Sequence, residues 1–225
     1  MTERSRRVYA GTTASDRAAA RRARLVDAAV VLLAEGGWRA LTVEAVCRGA
    51  GLNKRYFYES FAAMEDVGAA LVSRTEEGIL AATRPLEASG LHELDPAALS
   101  VASARYVIGG LVRYLADDPR VARAVFVELA GSAEANQLRI AMMRRIAERV
   151  AAAAREFHGI DEDRPAARVA AALLVGGTIE AFLTWLDGRL DLTVEEMIEM
   201  LAELWAVVGD RAAMLPPARQ SRGHS

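Results

Sequence analysis

Residues 41–61, LTVEAVCRGAGLNKRYFYESF, limit the possible folds more than any other stretch, because two helix starts flank one tight turn. Thr42 is placed to N-cap a short helix through about Gly49, with Leu41 and Val46 as its apolar staple pair. Ala50-Gly51-Leu52 reads as the turn, and Asn53 caps a second short helix with Leu52 and Phe57 as the corresponding pair. Two such helices joined by a glycine-containing turn make a helix-turn-helix. The second helix opens with Lys54, Arg55 and Tyr56, the long polar side chains that can reach base edges when a helix N-terminus enters a major groove. Phe57 and Phe61 lie four apart on the opposite face and are expected to anchor the helix. Tyr58 and the Thr42 hydroxyl are suited to phosphate oxygens.

The rest of the chain reads as helix. Ala, Leu, Glu and Arg dominate, no alternating strand pattern appears, and Gly and Pro fall mostly at boundaries. Ser15-Asp16 can cap a helix with an apolar face of Leu25, Ala28, Ala29 and Leu32, ending at Gly36-Gly37. Asp95-Pro96 and Asp118-Pro119 each put a cap residue before a first-turn proline, and Pro165 fits another first turn. Thr193 and Glu196 form a capping box opening a one-sided stripe of Val194, Met197, Ile198, Leu201, Leu204, Trp205 and Val208. The expected class is all-α, with roughly nine helices, the first three short and basic and the others forming a larger bundle. Expected boundaries are a disordered arm at 1–14, a helix-turn-helix domain at 15–61, a larger helical domain at 62–215 and a disordered tail at 216–225.

Charge separates the same two parts. Residues 1–60 hold 11 Lys/Arg against 6 Asp/Glu, while the remainder holds 17 against 24, for a net of −2. A basic head on an acidic body suggests that only the head meets a polyanion. Of the 28 basic residues 27 are Arg, so the cluster Arg17, Arg21, Arg22 and Arg24 is equally well a charged surface or a DNA-facing approach.

The segment RLVDAAVVLLAEGGWRALTVEAVCRGAGLNKRYFYESFAAMEDV, within Arg24 to Leu71, resembles the N-terminal domain of the TetR family of transcriptional regulators. The resemblance covers about a fifth of the chain. It implies a homodimer with a three-helix DNA-binding domain, a fourth linking helix, and a larger helical domain that dimerises and binds a small effector. By position, Thr42 and Tyr58 would touch phosphates and Lys54, Arg55 and Tyr56 would lie in the groove, with Asn53 at their cap. The chain departs from the family pattern at Ser60, where His or Tyr is common, and at Ala63 and Met64, where a polar cap and a Lys usually open the fourth helix. Losing that Lys removes an expected phosphate contact.

The expected partners are a palindromic double-stranded operator, a small apolar or aromatic effector and a second copy of the chain. An effector pocket is expected among Tyr106, Phe126, Glu128, Met142, Met143, Thr178, Glu180 and Trp185, which mix aromatics, adaptable Met and isolated polar groups. The dimer interface is expected on helices at about 164–187 and 193–210, with Leu201 and Trp205 as its best-defined apolar face or else part of the subunit core. A DNA-binding dimer without a ligand switch, and a small helical enzyme with an interaction module, are the alternatives.

No enzymatic activity and no cofactor is expected. His92, His158 and His224 lack metal-ligand spacing, and no nucleophile, phosphate-loop or dinucleotide motif appears. Cys47 is the only cysteine and reads as a buried structural thiol. The apolar run Val169 to Ile179 is too short to span a bilayer, and the polar N-terminus does not read as a secretory signal. A cytoplasmic location without membrane contact is expected.

Overall fold

The computed structural model describes residues 13–83, 96–159 and 165–216. Among them there are nine α-helices and no strand. In chain order these are α1 (Ala14–Ala40), α2 (Val43–Ala50), α3 (Lys54–Ser60), α4 (Met64–Ala82), α5 (Pro96–Asp117), α6 (Pro119–Phe126), α7 (Ala133–Phe157), α8 (Pro165–Leu186) and α9 (Val194–Met214).

Most helix ends follow from side-chain chemistry. Thr42 Oγ1 accepts the Ala45 amide, Asn53 Oδ1 accepts the Tyr56 amide, and Asp118 caps α6 ahead of Pro119. Thr193 and Glu196 close the capping box at α9, which holds the Glu196 carboxyl below its ordinary pKa through the Thr193 amide. The first helix departs from expectation. It spans 27 residues rather than being short, and its cap is Thr13, whose box partner is Asp16, not Ser15. Residues 13 and 14 therefore belong to the helix start, not to a disordered arm. The Ala- and Arg-rich stretch of residues 14–24 has high intrinsic helix propensity and extends the turn-by-turn pattern N-terminally. A break at Gly37, with φ 65°, separates a last short turn carrying Trp38. Asp95, His92 and His224 lie outside the described residues.

The three helices α1–α3 form a head around Leu25, Ala29, Val46, Phe57 and Phe61. At its turn Gly51 takes the left-handed conformation, φ 61°, which a side chain would strain. Behind the head, α5 pairs with α9, α8 packs on both α7 and α9, and α4 touches α1, α5, α6 and α7. The apolar core runs without interruption from Leu25 in the head to Leu201 in α9. Trp38 joins the two parts, lying against Gly68 of α4 and against Gly131 of the 3-10 turn Glu128–Gly131. The Glu76 carboxylate of α4 grips Arg145 of α7, and that bond holds the acid below its ordinary pKa.

The α8–α9 pair leaves apolar surface uncovered. Val169 and Leu173 of α8 are 69% and 63% exposed, and Leu204 and Val207 of α9 are 58% and 64% exposed. Met200 and Met214 continue the α9 stripe, and Gly176 and Gly177 continue that of α8 at helical spacing. Leu201, by contrast, is only 7% exposed within a single chain, and Trp205 donates its Nε1–H to Thr178 Oγ1 at 2.8 Å. Leu201 and Trp205 are core residues, and the outward face lies a third of a turn away. The uncharged run of α8 also sits in a helix of 22 residues, long and apolar enough to cross a membrane by length and composition alone, although six of its residues are buried in the chain. The expectation that this segment is too short counted only the run and not its helix.

Candidate nucleic-acid interface

The two faces of α3 have opposite environments. Phe57 is wholly enclosed, with Phe61 at 5.8 Å and the edge of Tyr58 at 5.4 Å between ring centroids. Lys54, Arg55 and Tyr58 point to solvent, Tyr58 with 61% of its surface exposed. Tyr58 thus carries a phenolic hydroxyl, a donor suited to an anion, on the same exposed side as Lys54 and Arg55. Thr42 and Asn53 are exposed at the starts of α2 and α3. Their oxygens are engaged as caps, which leaves the hydroxyl and amide protons free to donate to an anion. Tyr56 differs from its neighbours: it is half-buried, and the Arg21 guanidinium lies 4.6 Å above its ring.

The arginines of α1 have structural work inside the head. Arg24 donates to the Ala50 carbonyl at the end of α2, fixing the turn against α1. Arg22 lies 4.4 Å over the Phe61 ring, and Arg21 covers Tyr56 while facing Glu59. Their sequence pattern showed charge but not these tertiary partners. Cation–ring contacts of this kind stabilise by about 0.5–1 kcal/mol at exposed sites.

The carboxylates around the reading face are its least expected feature. Glu44 stands 3.8 Å from Arg48 and 4.0 Å from Lys54, and Glu59 accepts from Arg55 Nε at 2.9 Å. At the start of α4, Ala63 offers no side-chain cap, and the Asp66 carboxylate accepts both the Ala62 and Ala63 amides, at 2.9 and 3.0 Å. That carboxylate occupies the position where a helix N-terminus would otherwise attract phosphate. The acidic residue three after the cap was the sequence signal for it. Ser60 turns back to donate to the Tyr56 carbonyl at 2.9 Å, so its departure from the family pattern serves the helix itself. Cys47 is buried on the inner face of α2, and desolvation pushes its thiol pKa up despite the opposing charge of Lys54.

The eight residues expected to line an effector pocket do not share one cavity. Phe126 and Met142 are enclosed in the core, whereas Tyr106 and Glu180 are on the surface. Thr178 is consumed by Trp205, and Trp185 Nε1 donates to the Leu192 carbonyl at 2.7 Å. Glu128 is half-buried with its carboxylate beside Gly37, and Met143 packs at the edge of the core. Helical periodicity does not tell which wall of a bundle a residue faces, and two of the polar groups expected to meet a ligand, on Thr178 and Trp185, have partners inside the chain. The larger of two described cavities, about 660 Å³, is an open polar cleft beside the head, with Arg22, Tyr58, Asp66, Arg74 and Glu77 on its walls. The other, about 30 Å³ among Val150, His158, Leu174 and Ala212, has room for little more than water. Among the described residues no group of His, Cys, Asp and Glu is arranged to hold a metal ion.

Comparison with known proteins agrees with this arrangement. Residues 25–71 match the family model of bacterial regulatory proteins, tetR family. A putative TetR-family transcriptional regulator from Syntrophomonas wolfei superposes with a TM-score of 0.68 at 17% identity, over 85% of this chain and 96% of its own. The transcriptional regulator FadR from Bacillus subtilis, solved in complex with stearoyl-CoA, gives 0.64 at 21% identity over 82% and 97%. A transcriptional regulator from Rhodococcus sp. Rha1 gives 0.63 at 22% identity over 87% and 99%. No curated protein matches the chain in sequence. The head at residues 25–71 is thus a DNA-binding helix-turn-helix of the tetR family of bacterial regulatory proteins, carried on a chain with the fold of that family's solved members.

Proposed function

We propose that this TetR-family transcriptional regulator is a repressor that binds a palindromic operator as a homodimer and is released by a small apolar or aromatic effector. The observation that carries the DNA half is α3 itself: Phe57 inside, Lys54, Arg55 and Tyr58 outside, and a capped turn holding it on α2. Lys54, Arg55 and Tyr56 take the base-edge role, and Thr42, Asn53 and Tyr58 the phosphate role. A second copy is the occupant best matched to the uncovered α8–α9 stripe, because a two-fold axis sets the same stripe against itself and pairs two heads. Two heads so paired recognise half-sites about 34–36 Å apart or at a multiple of that distance.

Arg55→Ala or Lys54→Ala is expected to cost about 1–3 kcal/mol of operator affinity and to relax preference at one base pair. Tyr58→Phe is expected to weaken all duplexes alike, because phosphates carry no sequence. Quantitative retardation of duplexes selected from a random library decides between these. Unchanged binding after replacing residues 54, 55, 56 and 58 together by Ala would remove α3 from the reading role.

An effector acts only by preferring one head spacing over the other, and a coupling of about 1–3 kcal/mol changes operator affinity roughly 5–150-fold. The apolar body, with adaptable Met142 and Met143 in and against its core, and the stearoyl-CoA bound by the FadR neighbour both support an apolar molecule entering an opened body. Long-chain acyl-CoA is therefore the first probe. Linkage requires operator DNA to weaken acyl-CoA binding by the same factor, measurable by calorimetry with and without duplex. Tight acyl-CoA binding that is indifferent to operator would separate the ligand from the switch.

A further inference from the structure

Glu59 follows Arg55 by one helical turn, and its two oxygens face two different guanidinium groups. Oε1 accepts from Arg55 Nε at 2.9 Å, and Oε2 stands 3.9 Å from Arg21. Arg21 is itself held, three-quarters covered and stacked on the Tyr56 ring. Arg55 is the most exposed member of the set. The chain Tyr56–Arg21–Glu59–Arg55 thus runs from the half-buried Tyr56 to the exposed Arg55 on the reading face.

Which nitrogen of Arg55 is engaged decides what remains. A guanidinium meets an anion either side-on, through Nε and one terminal nitrogen, or end-on, through both terminal nitrogens. Guanine offers O6 and N7, a pair that accepts a bidentate arginine. With Nε occupied by Glu59, the side-on grip on a phosphate is closed, and the carboxylate repels phosphate as well. The end-on pair stays available. Glu44 sets up no such arrangement: it stands 4.0 Å from Lys54, a point charge without a fork, and 3.8 Å from a terminal nitrogen of Arg48 whose Nε it leaves alone.

We propose that Glu59 is a positioning residue that determines specificity, holding Arg55 by Nε so that it reads a guanine end-on and is kept off the phosphate backbone. This rests on α3 being the reading helix. An exposed intrahelical pair contributes little to stability, so its effect is expected in recognition and not in folding.

The test uses the full-length chain and duplexes that it selects from a random library. For the unmodified protein, replacing one guanine of the selected duplex by adenine is expected to weaken binding tenfold or more. E59A, which leaves Arg55 Nε without its acceptor, is expected to reduce that discrimination to about threefold or less and to strengthen binding to an unrelated duplex several-fold. It is also expected to steepen the salt dependence by about one phosphate contact. Circular dichroism should report an unchanged fold for E59A. R55A separates the two layers. If R55A keeps the guanine preference, the reading-helix role fails and the proposal with it. If R55A loses the preference while E59A keeps both it and the original salt slope, the Glu59 role alone is overturned.

Discussion

Changing Leu204 and Val207 together to Asp is expected to yield a folded monomer whose operator affinity is lower by about 10²–10⁴-fold. Both side chains are mostly exposed in the single chain and lie in a stripe with Met200 and Met214, next to the α8 stripe of Val169 and Leu173. Surface substitutions that break no contact usually change stability by less than about 0.5 kcal/mol, so each subunit should fold. In a dimer burying these stripes, four carboxylates would be driven into an apolar interface without partners, at a cost of several kcal/mol. Without the dimer each head binds alone. The second head then loses the millimolar effective concentration that tethering supplies, which sets the fold-change given above. Sedimentation at micromolar concentration reads the assembly, and retardation of a two-half-site duplex reads the affinity. Leu201→Asp is the contrast: it puts a charge into the subunit core beside Met197 and Ile198 and should unfold the body instead. A double mutant that sediments as a dimer would place the interface on another face.

That contrast also shows what could be read from the sequence. The α9 helix, its capping box and its apolar stripe were legible because capping is local chemistry and amphipathicity is a periodic signal. Which edge of the stripe faces the subunit and which faces outward was not. Leu201 and Leu204 are three apart on one apolar side, and only the positions of α5 and α8 separate them. The helix-turn-helix was legible for the same local reasons, down to Thr42, Asn53 and the inward Phe57. The partners of Arg21, Arg22 and Arg24 were not, since each reaches an element far along the chain. Glu59 four residues after Arg55 was visible as an intrahelical pair, but its second partner Arg21 was not. The place of a pocket was the least legible, because composition says which residues are apolar without saying where a bundle leaves space.

Two glycine-to-alanine substitutions are expected to act with opposite signs. Inside a helix the exchange alone stabilises by about 1 kcal/mol, through lower backbone entropy in the unfolded chain. Gly110 of α5 faces the carbonyl of Ala82 at the end of α4, and a Cβ there would fall far inside van der Waals contact with that backbone oxygen. Backbone cannot rotate aside as a side-chain tip can, so overpacking of about 1–3 kcal/mol at its upper end outweighs the propensity gain. Gly110→Ala should therefore lower stability by about 2 kcal/mol, a fall in Tm of roughly 4–8 °C for a chain of this size. Because α4 joins the head to the body, it should also alter operator affinity. Gly176 and Gly177 of α8 have nothing within 4 Å of the position a Cβ would take, so Ala there is unopposed in the single chain. In the monomeric Leu204→Asp, Val207→Asp background, Gly176→Ala with Gly177→Ala should raise Tm by a few degrees, following the same propensity. In the dimer the sign should reverse for association, since these glycines lie in the outward stripe where a second α8 would approach closely. Calorimetry in the monomeric background and sedimentation of the dimer read the two effects separately. Equal stabilisation in both backgrounds, with dimer affinity unchanged, would show that no partner surface reaches Gly176 or Gly177.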